Sequence, residues 1–260
     1  MITNSALYNV MLNAIHQSSR LLKRDFGEIE YLQSSIKDSR LFVQKAEERT
    51  RKLIISELSK SRPDFGLIDT FENQETKIKS SRDRNWIIKA IDGKINFSRG
   101  LPYFSTSIAL LENNIIFAGL VYNSANDDIF YAEKGIGAIF NNKRIRVSSR
   151  KKLKESIIIL DAKKENIANK KFAALQNNIS HRREIGSTCL DLAYVASGRF
   201  DGYLSFEYDL LKYASGLILI REAGGFLSDF DGNEPFSRTS GLIAGNPDIH
   251  KKLTELIISH

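Results

Sequence analysis

The chain has 260 residues, 42% of them apolar, with a formal net charge of +7, one cysteine and four histidines. That much apolar material can bury a sizeable core, as one large domain or two packed halves, which excludes a disordered or fibrous protein. The lone Cys189 excludes an internal disulfide, His16, His181, His250 and His260 lack zinc-ligand spacing, and the charge permits an anionic partner without requiring one.

Taken in order, MITNSALYNVMLNAIHQ lacks the basic and then apolar pattern of a secretion signal, and no apolar run nears the ~20 residues of a membrane span. A cytoplasmic location without membrane contact is expected. Leu7, Val10, Met11, Ala14, Ile15, Leu21 and Leu22 recur at helical spacing and predict a helix over 6–24, broken at Asp25-Phe26-Gly27. A second helix is predicted from about Phe42 to Ser59, closed by Arg62-Pro63. Phe65 to Asp69 is a short strand candidate before a charged loop. Trp86-Ile87-Ile88 then leads through Lys89, Ala90 and Ile91 to Asp92-Gly93, a buried strand ending in a turn that presents a carboxylate and backbone amides. The segments 105–111, 115–122, 128–133 and 138–147 alternate in polarity between turn signals such as Asn113-Asn114 and Asn141-Asn142, which predicts an antiparallel meander.

The basic connector SRKKLKES marks the expected boundary between an N-terminal half, residues 1–150, and a C-terminal α/β half, residues 151–260. In the second half, strands are predicted at 156–160 and 203–205, and helices at 165–177, 188–197, 210–223 and 247–258. This alternation predicts a mixed sheet covered by helices on both faces.

The stretch WIIKAIDGKINF resembles the signature W-I-x-D-P-x-D-G-T-x-N-F of the inositol monophosphatase family. Trp86, Ile87, Asp92, Gly93, Asn96 and Phe97 stand at signature positions. RDFGEIEYLQSS, VYNSANDDIFYAEKGIGAIFNNKRIRVS, GSTCLDLAYVASGRFDGY and REAGGFLSDFDGN are similar to further family segments in the same order, nearest to the bacterial SuhB (extragenic suppressor) branch. The resemblance implies an α+β fold, a layered αβαβα sandwich assembled as a homodimer. It also implies magnesium-dependent hydrolysis of inositol 1-phosphate and, through the SuhB branch, a transcription or RNA-processing partner.

Carried over position by position, the family's site is altered. Lys89 replaces the first signature aspartate, a magnesium ligand in the family, and Lys94 replaces the threonine that helps activate water. Thr70 falls where a metal-binding glutamate belongs, unless a one-residue slip lets Glu72 serve. Lys212 replaces the aspartate of a Trp-Asp pair, and Ser205 replaces a substrate-contacting glutamate. Of four acidic ligands only Asp92 remains. Lys37 matches the family's active-site lysine, and Glu47 replaces an aspartate near the catalytic threonine. Gly93 and Lys94 retain turn amides, and Gly186, Ser187 and Thr188 match a substrate-facing helix start suited to anions.

The changes at Lys89, Lys94, Thr70 and Lys212 all make the site more positive. One lysine at ~6 Å from Mg²⁺, at an effective dielectric of ~20, costs roughly 5 kcal/mol, comparable with the whole binding energy of a sub-millimolar ligand. The expectation is a SuhB-like protein with impaired catalysis and a scaffold or transcription-associated role. Two alternatives stay open. One is an active phosphatase with a reduced magnesium site built on Asp92, Glu47, Glu72 or Asp209. The other is a metal-free binder in which Lys89, Lys94 and Lys212 hold a phosphorylated metabolite. Against that binder stands the reading in which the lysines pair with Asp92 and Glu47. Ser187, Thr188 and Asp209 suit helix N-caps, Cys189 suits the core, and Tyr31 and Tyr122 suit packing. The basic run 143–154, KRIRVSSRKKLK, reads either as a solvated edge or as a contact for RNA phosphates.

Overall fold

The computed structural model describes residues 5–29, 36–69, 82–162, 170–235 and 240–259, without the side chains of 36–38 and 69. Helix α1 (Ala6–Glu28) starts at Ser5, whose hydroxyl accepts from the Tyr8 amide at 3.1 Å. It continues through the expected break at Asp25-Phe26-Gly27. Tertiary contacts explain this: Asp25 is almost fully buried and paired with Arg49 at 2.6 Å, and Phe26 packs on Phe97 and Phe104. They outweigh the roughly 1 kcal/mol that a helical glycine costs. Helix α2 (Ile36–Ser61) begins six residues before the expected start.

Strands β1 (Gly66–Asp69), β2 (Arg84–Asp92), β3 (Ser105–Glu112), β4 (Ile115–Asn123), β5 (Asp128–Glu133), β6 (Gly137–Phe140) and β7 (Lys143–Arg144) form one sheet in sequence order. β1 is parallel to β2 and every later neighbour is antiparallel, as the meander predicted. Asn113 and Asn114, and again Asn141 and Asn142, have positive φ, the conformation that tight hairpins need and asparagine tolerates.

The second sheet holds β8 (Ile157–Asp161), β9 (His181–Arg183), β10 (Gly202–Ser205), β11 (Phe226–Ser228) and β12 (Leu242–Gly245), in the order β11-β12-β10-β8-β9. β8 runs parallel to β9 and β10, while β12 is antiparallel to its neighbours. Strands of three or four residues such as β9, β11 and β12 are too short to show a period, and the sequence did not predict them.

Five layers result. Alternate residues of the first sheet face opposite ways, and Trp86, Ile88, Leu110, Leu120 and Tyr122 pack beneath α1 and α2. The other face, Ile87, Ala109, Val121 and Phe130, packs on α5 (Thr188–Ala196) and α6 (Leu210–Glu222). The same helices cover Tyr203, Leu242 and Ala244 of the second sheet. Beyond it, Ile158, Leu204 and Ile243 pack on α4 (Lys170–Asn178) and α7 (Pro247–Ile258). β4 meets α6 at Gly119, where a β-carbon would lie 2.6 Å from Ile218 and 2.8 Å from the Ser215 backbone. The architecture is the αβαβα sandwich. Asp209 caps α6 by accepting from the Leu211 amide, and Cys189 and Tyr122 are buried, all as expected. Residues 163–169, which include the expected start of the helix over 165–177, and Tyr31 lie outside the described residues. Among the described residues no helix is long and apolar enough to cross a membrane.

Candidate functional site

β2 delivers the site. Its register with β3 shifts between Lys89 and Asp92, and it ends at Gly93, whose φ of 86° starts α3 (Lys94–Ser98), a short helix the sequence did not predict. A side chain at Gly93 would be strained and crowded: its β-carbon would sit 3.0 Å from the Tyr103 carbonyl and 3.2 Å from Ser187. Asn96 secures this turn by donating to the carbonyls of Tyr103 at 2.8 Å and Ile185 at 2.7 Å. The β2 turn and the start of α5 are thereby held against each other.

Asp92 is buried at that junction. Its Oδ1 is 2.6 Å from the Lys89 ammonium. Its Oδ2 accepts from the Ser187 hydroxyl at 2.9 Å and from the Cys189 amide at 2.8 Å. Burial alone would raise the Asp92 pKa, but the Lys89 charge and these donors outweigh it and hold the carboxyl below its ordinary range. Burial likewise opposes the Lys89 charge, and Asp92 reverses that, leaving the ammonium with a raised pKa. Ser187 stands at the N-cap position of α5, but its side chain makes no cap bond. It serves Asp92 instead of its own helix.

The other lysines are also engaged. Lys94 meets Glu47 of α2 at 2.7 Å. Lys212, in the first turn of α6, reaches Asp161 at the end of β8 at 3.0 Å, and the Tyr203 hydroxyl donates to the same oxygen at 3.0 Å. Burial opposes the Lys212 charge, and Tyr213 and Asp161 more than offset it, so the amine stays protonated. Lys89 and Lys212 are close enough to repel each other, and Asp92 attracts both. The structure thus brings Lys89, Asp92 and Lys212 together, with Gly186, Ser187 and Thr188 at the same α5 start. Lys94 is held by Glu47, and Ser205 bonds Tyr213 in the interior. Lys37 lies on α2 without a described side chain; Thr70 and Glu72 lie outside the described residues.

Magnesium does not fit the donors present among the described residues. Both oxygens of Asp92 are already taken, and ammonium groups adjoin it where a dication would need carboxylates. Among the described residues no three His, Cys, Asp or Glu side chains gather at one point. The three lysines and their three carboxylate partners balance in charge.

Two groups escaped the sequence reading. Asp161 ends a strand of the parallel part of the second sheet and pairs in register with Ser205, where the resemblance implies a glutamate. An acid at the end of a buried strand was the available signal. Asp191 is the one acid in the apolar helix TCLDLAYVA, and it accepts from the Tyr103 hydroxyl at 2.6 Å. Burial is the main cause that pushes its carboxyl up to about 8.

Asp191 therefore keeps its proton in the folded chain up to about pH 8, while the unfolded chain loses it near its ordinary value of 3.8. The native state binds more protons across that window, so stability should fall as pH rises from about 4 to 8. Asp191→Asn, which imitates the neutral acid, should remove that slope and gain roughly 2–5 kcal/mol at pH 8. Urea titrations of both proteins at pH 5 and pH 8 check it, and an unchanged slope would count against a protonated Asp191.

The sequence model described as "Inositol monophosphatase family" matches residues 4–260. This chain belongs to the inositol monophosphatase family. One relative of this family member, "Inositol-1-monophosphatase" of Mesorhizobium japonicum, is 37% identical over 261 residues, covering 98% of this chain and 97% of the relative. "Nus factor SuhB" of Escherichia coli is 32% identical over 256 residues, covering 95% and 94%. The crystal structure of extragenic suppressor protein SuhB from Bartonella henselae superposes with a TM-score of 0.85 at 37% identity, covering 98% of this chain and all of that one. The layered fold of the inositol monophosphatase family is therefore this chain's fold.

Proposed function

We infer that this protein keeps the inositol monophosphatase scaffold without its magnesium-dependent hydrolysis, and acts as a cytoplasmic binding component of a transcription or RNA-processing assembly. The observation that carries the reading is Asp92: one of its oxygens faces the Lys89 ammonium, and the other accepts from Ser187 and the Cys189 amide. Hydrolysis in the family needs a dication to polarise the phosphoryl oxygen and generate hydroxide. A tethered ammonium supplies charge but has no open position for water or substrate. The partner side of the reading is supported by relatives named Nus factor SuhB. A homodimer, as the family resemblance implies, completes it.

The opposite reading, an active sugar-phosphate phosphatase, is supported by relatives named inositol-1-monophosphatase at comparable identity. Metal-free capture of a phosphorylated metabolite has weaker support, since each of the three lysines already has a carboxylate partner. Phosphate release from inositol 1-phosphate at 10 mM Mg²⁺ separates the first two. The expected result is no release above the enzyme-free rate; turnover approaching the ~10 s⁻¹ of an ordinary enzyme would overturn the inference.

A further inference from the structure

The basic run between the two sheets lies outside the Asp92 site, and its geometry is not that of a loose tail. Residues 144–147 alternate exposed and half-buried, with Ile145 and Val147 packed on the central core and Arg144 and Arg146 outward. The Ile145 amide bonds the Ala138 carbonyl at 3.0 Å and the Val147 amide bonds Ala223 at 3.1 Å. Further along, the buried Asp201 accepts from the Ser148 hydroxyl at 2.5 Å and pairs with Arg150 at 3.2 Å. Asn246 donates to Ser148 and to the Arg150 carbonyl, both at 2.9 Å. The backbone is anchored at both ends, so its side chains project from a fixed line.

Charge on that line has one sign. Residues 143–154 contain seven Lys and Arg and no acid. Arg150 and Lys152 have carboxylate partners; Lys143, Arg144, Arg146, Lys151 and Lys154 form no ion pair among the described residues. Aromatic surface lies beside them. Arg199 stacks over Phe140, the register partner of Lys143, at 4.5 Å, and over Tyr194 at 4.8 Å. Phe226 is 56% exposed, and its neighbour Gly225 abuts Val147 so closely that a β-carbon would sit 2.9 Å away. Fixed cations alone suit any polyanion. Cations flanked by an exposed ring and a flat guanidinium suit a flexible chain of phosphates and stackable bases.

We propose that residues 143–154, with Arg199 and Phe226, form a binding ridge for single-stranded RNA. The ridge fits the partner-binding reading and gives the partner a chemistry, while phosphate release from inositol 1-phosphate is indifferent to it, so either idea can fail alone. Anchoring matters here because side chains on a fixed backbone lose less freedom on binding than those of a disordered tail.

The test is fluorescence anisotropy of the full chain with a labelled twelve-nucleotide oligouridylate. If four to six phosphates are engaged, the slope of log K against log salt should be about −3 to −4, a roughly 100-fold loss between 50 and 200 mM. Lys143→Glu with Arg144→Glu should weaken binding at least 10-fold and make the slope shallower by one or two. Lys151→Glu with Lys154→Glu, outside any strand, should do the same if the first pair fails to fold. Phe226→Ala should cost about 5-fold or more through lost stacking. Lys45→Glu with Lys52→Glu, an equal change in charge on α2, should leave affinity within about twofold. Equal losses from ridge and α2 variants, no binding at 50 mM salt, or equal competition by polyglutamate would each overturn the proposal.

Discussion

Lys89→Ala should lower stability by about 2–4 kcal/mol, one of the largest effects of any single side chain in the site. The loss comes less from the missing contact than from what remains: Asp92, buried and ionised, keeps its bonds from Ser187 and the Cys189 amide but loses its counter-charge. Breaking a buried pair from one side is costly, whereas neutralising both partners is not. The double variant Lys89→Met with Asp92→Asn should therefore recover most of the loss. At ~2–4 °C per kcal/mol in a chain of this size, the single variant should melt roughly 5–12 °C lower. The pH dependence has a defined sign. Asp92 is held below its ordinary range, so the pair's contribution is complete at neutral pH and lost as the medium is acidified through the depressed pKa. A thermal scan of wild type, Lys89→Met, Asp92→Asn and the double closes the cycle; additive losses in the double would remove the pair from its assigned role.

Restoring the family's residues should restore its affinity for metal. Lys89→Asp, Lys94→Thr, Lys212→Asp and Thr70→Glu together return the carboxylates that the resemblance implies and withdraw three ammoniums. With a dissociation constant near 0.1 mM, 10 mM Mg²⁺ would stabilise this variant by about 2.7 kcal/mol, a rise of roughly 5–10 °C in melting temperature. The wild-type chain should show no Mg²⁺-specific rise beyond a matched ionic-strength control. The contrast rests on charge: a dication meets ammoniums in one protein and carboxylates in the other. A wild-type shift as large as the variant's would mean that Asp92 gives up Lys89 for metal. No shift in a folded variant would mean that the scaffold, and not only these four residues, has lost the site.

The layers were legible in the sequence because they rest on long-range periodicity, while the junctions were not. α7 was predicted at the residues where it lies, and the meander followed from alternation and paired asparagines. α1 outran its predicted end because Asp25 and Phe26 find partners on α2 and α3. No local pattern encodes those partners. At the site, the lysines at positions 89, 94 and 212 stand out by counting along the resemblance, and so does the pairing of Lys89 and Lys94 with Asp92 and Glu47. The partner of Lys212 could not be read, because Asp161 lies 51 residues earlier and meets it only where β8 and α6 converge. The Ser187 hydroxyl also departs from the expected cap: a serine before a helix ordinarily caps it, but here a buried carboxylate is the stronger acceptor.

The ammonium beside Asp92 is part of the polypeptide. A counter-ion fastened by a peptide backbone cannot be diluted, exchanged or stripped by a chelator. The positive charge facing this buried carboxylate is therefore set at synthesis, by the chain itself.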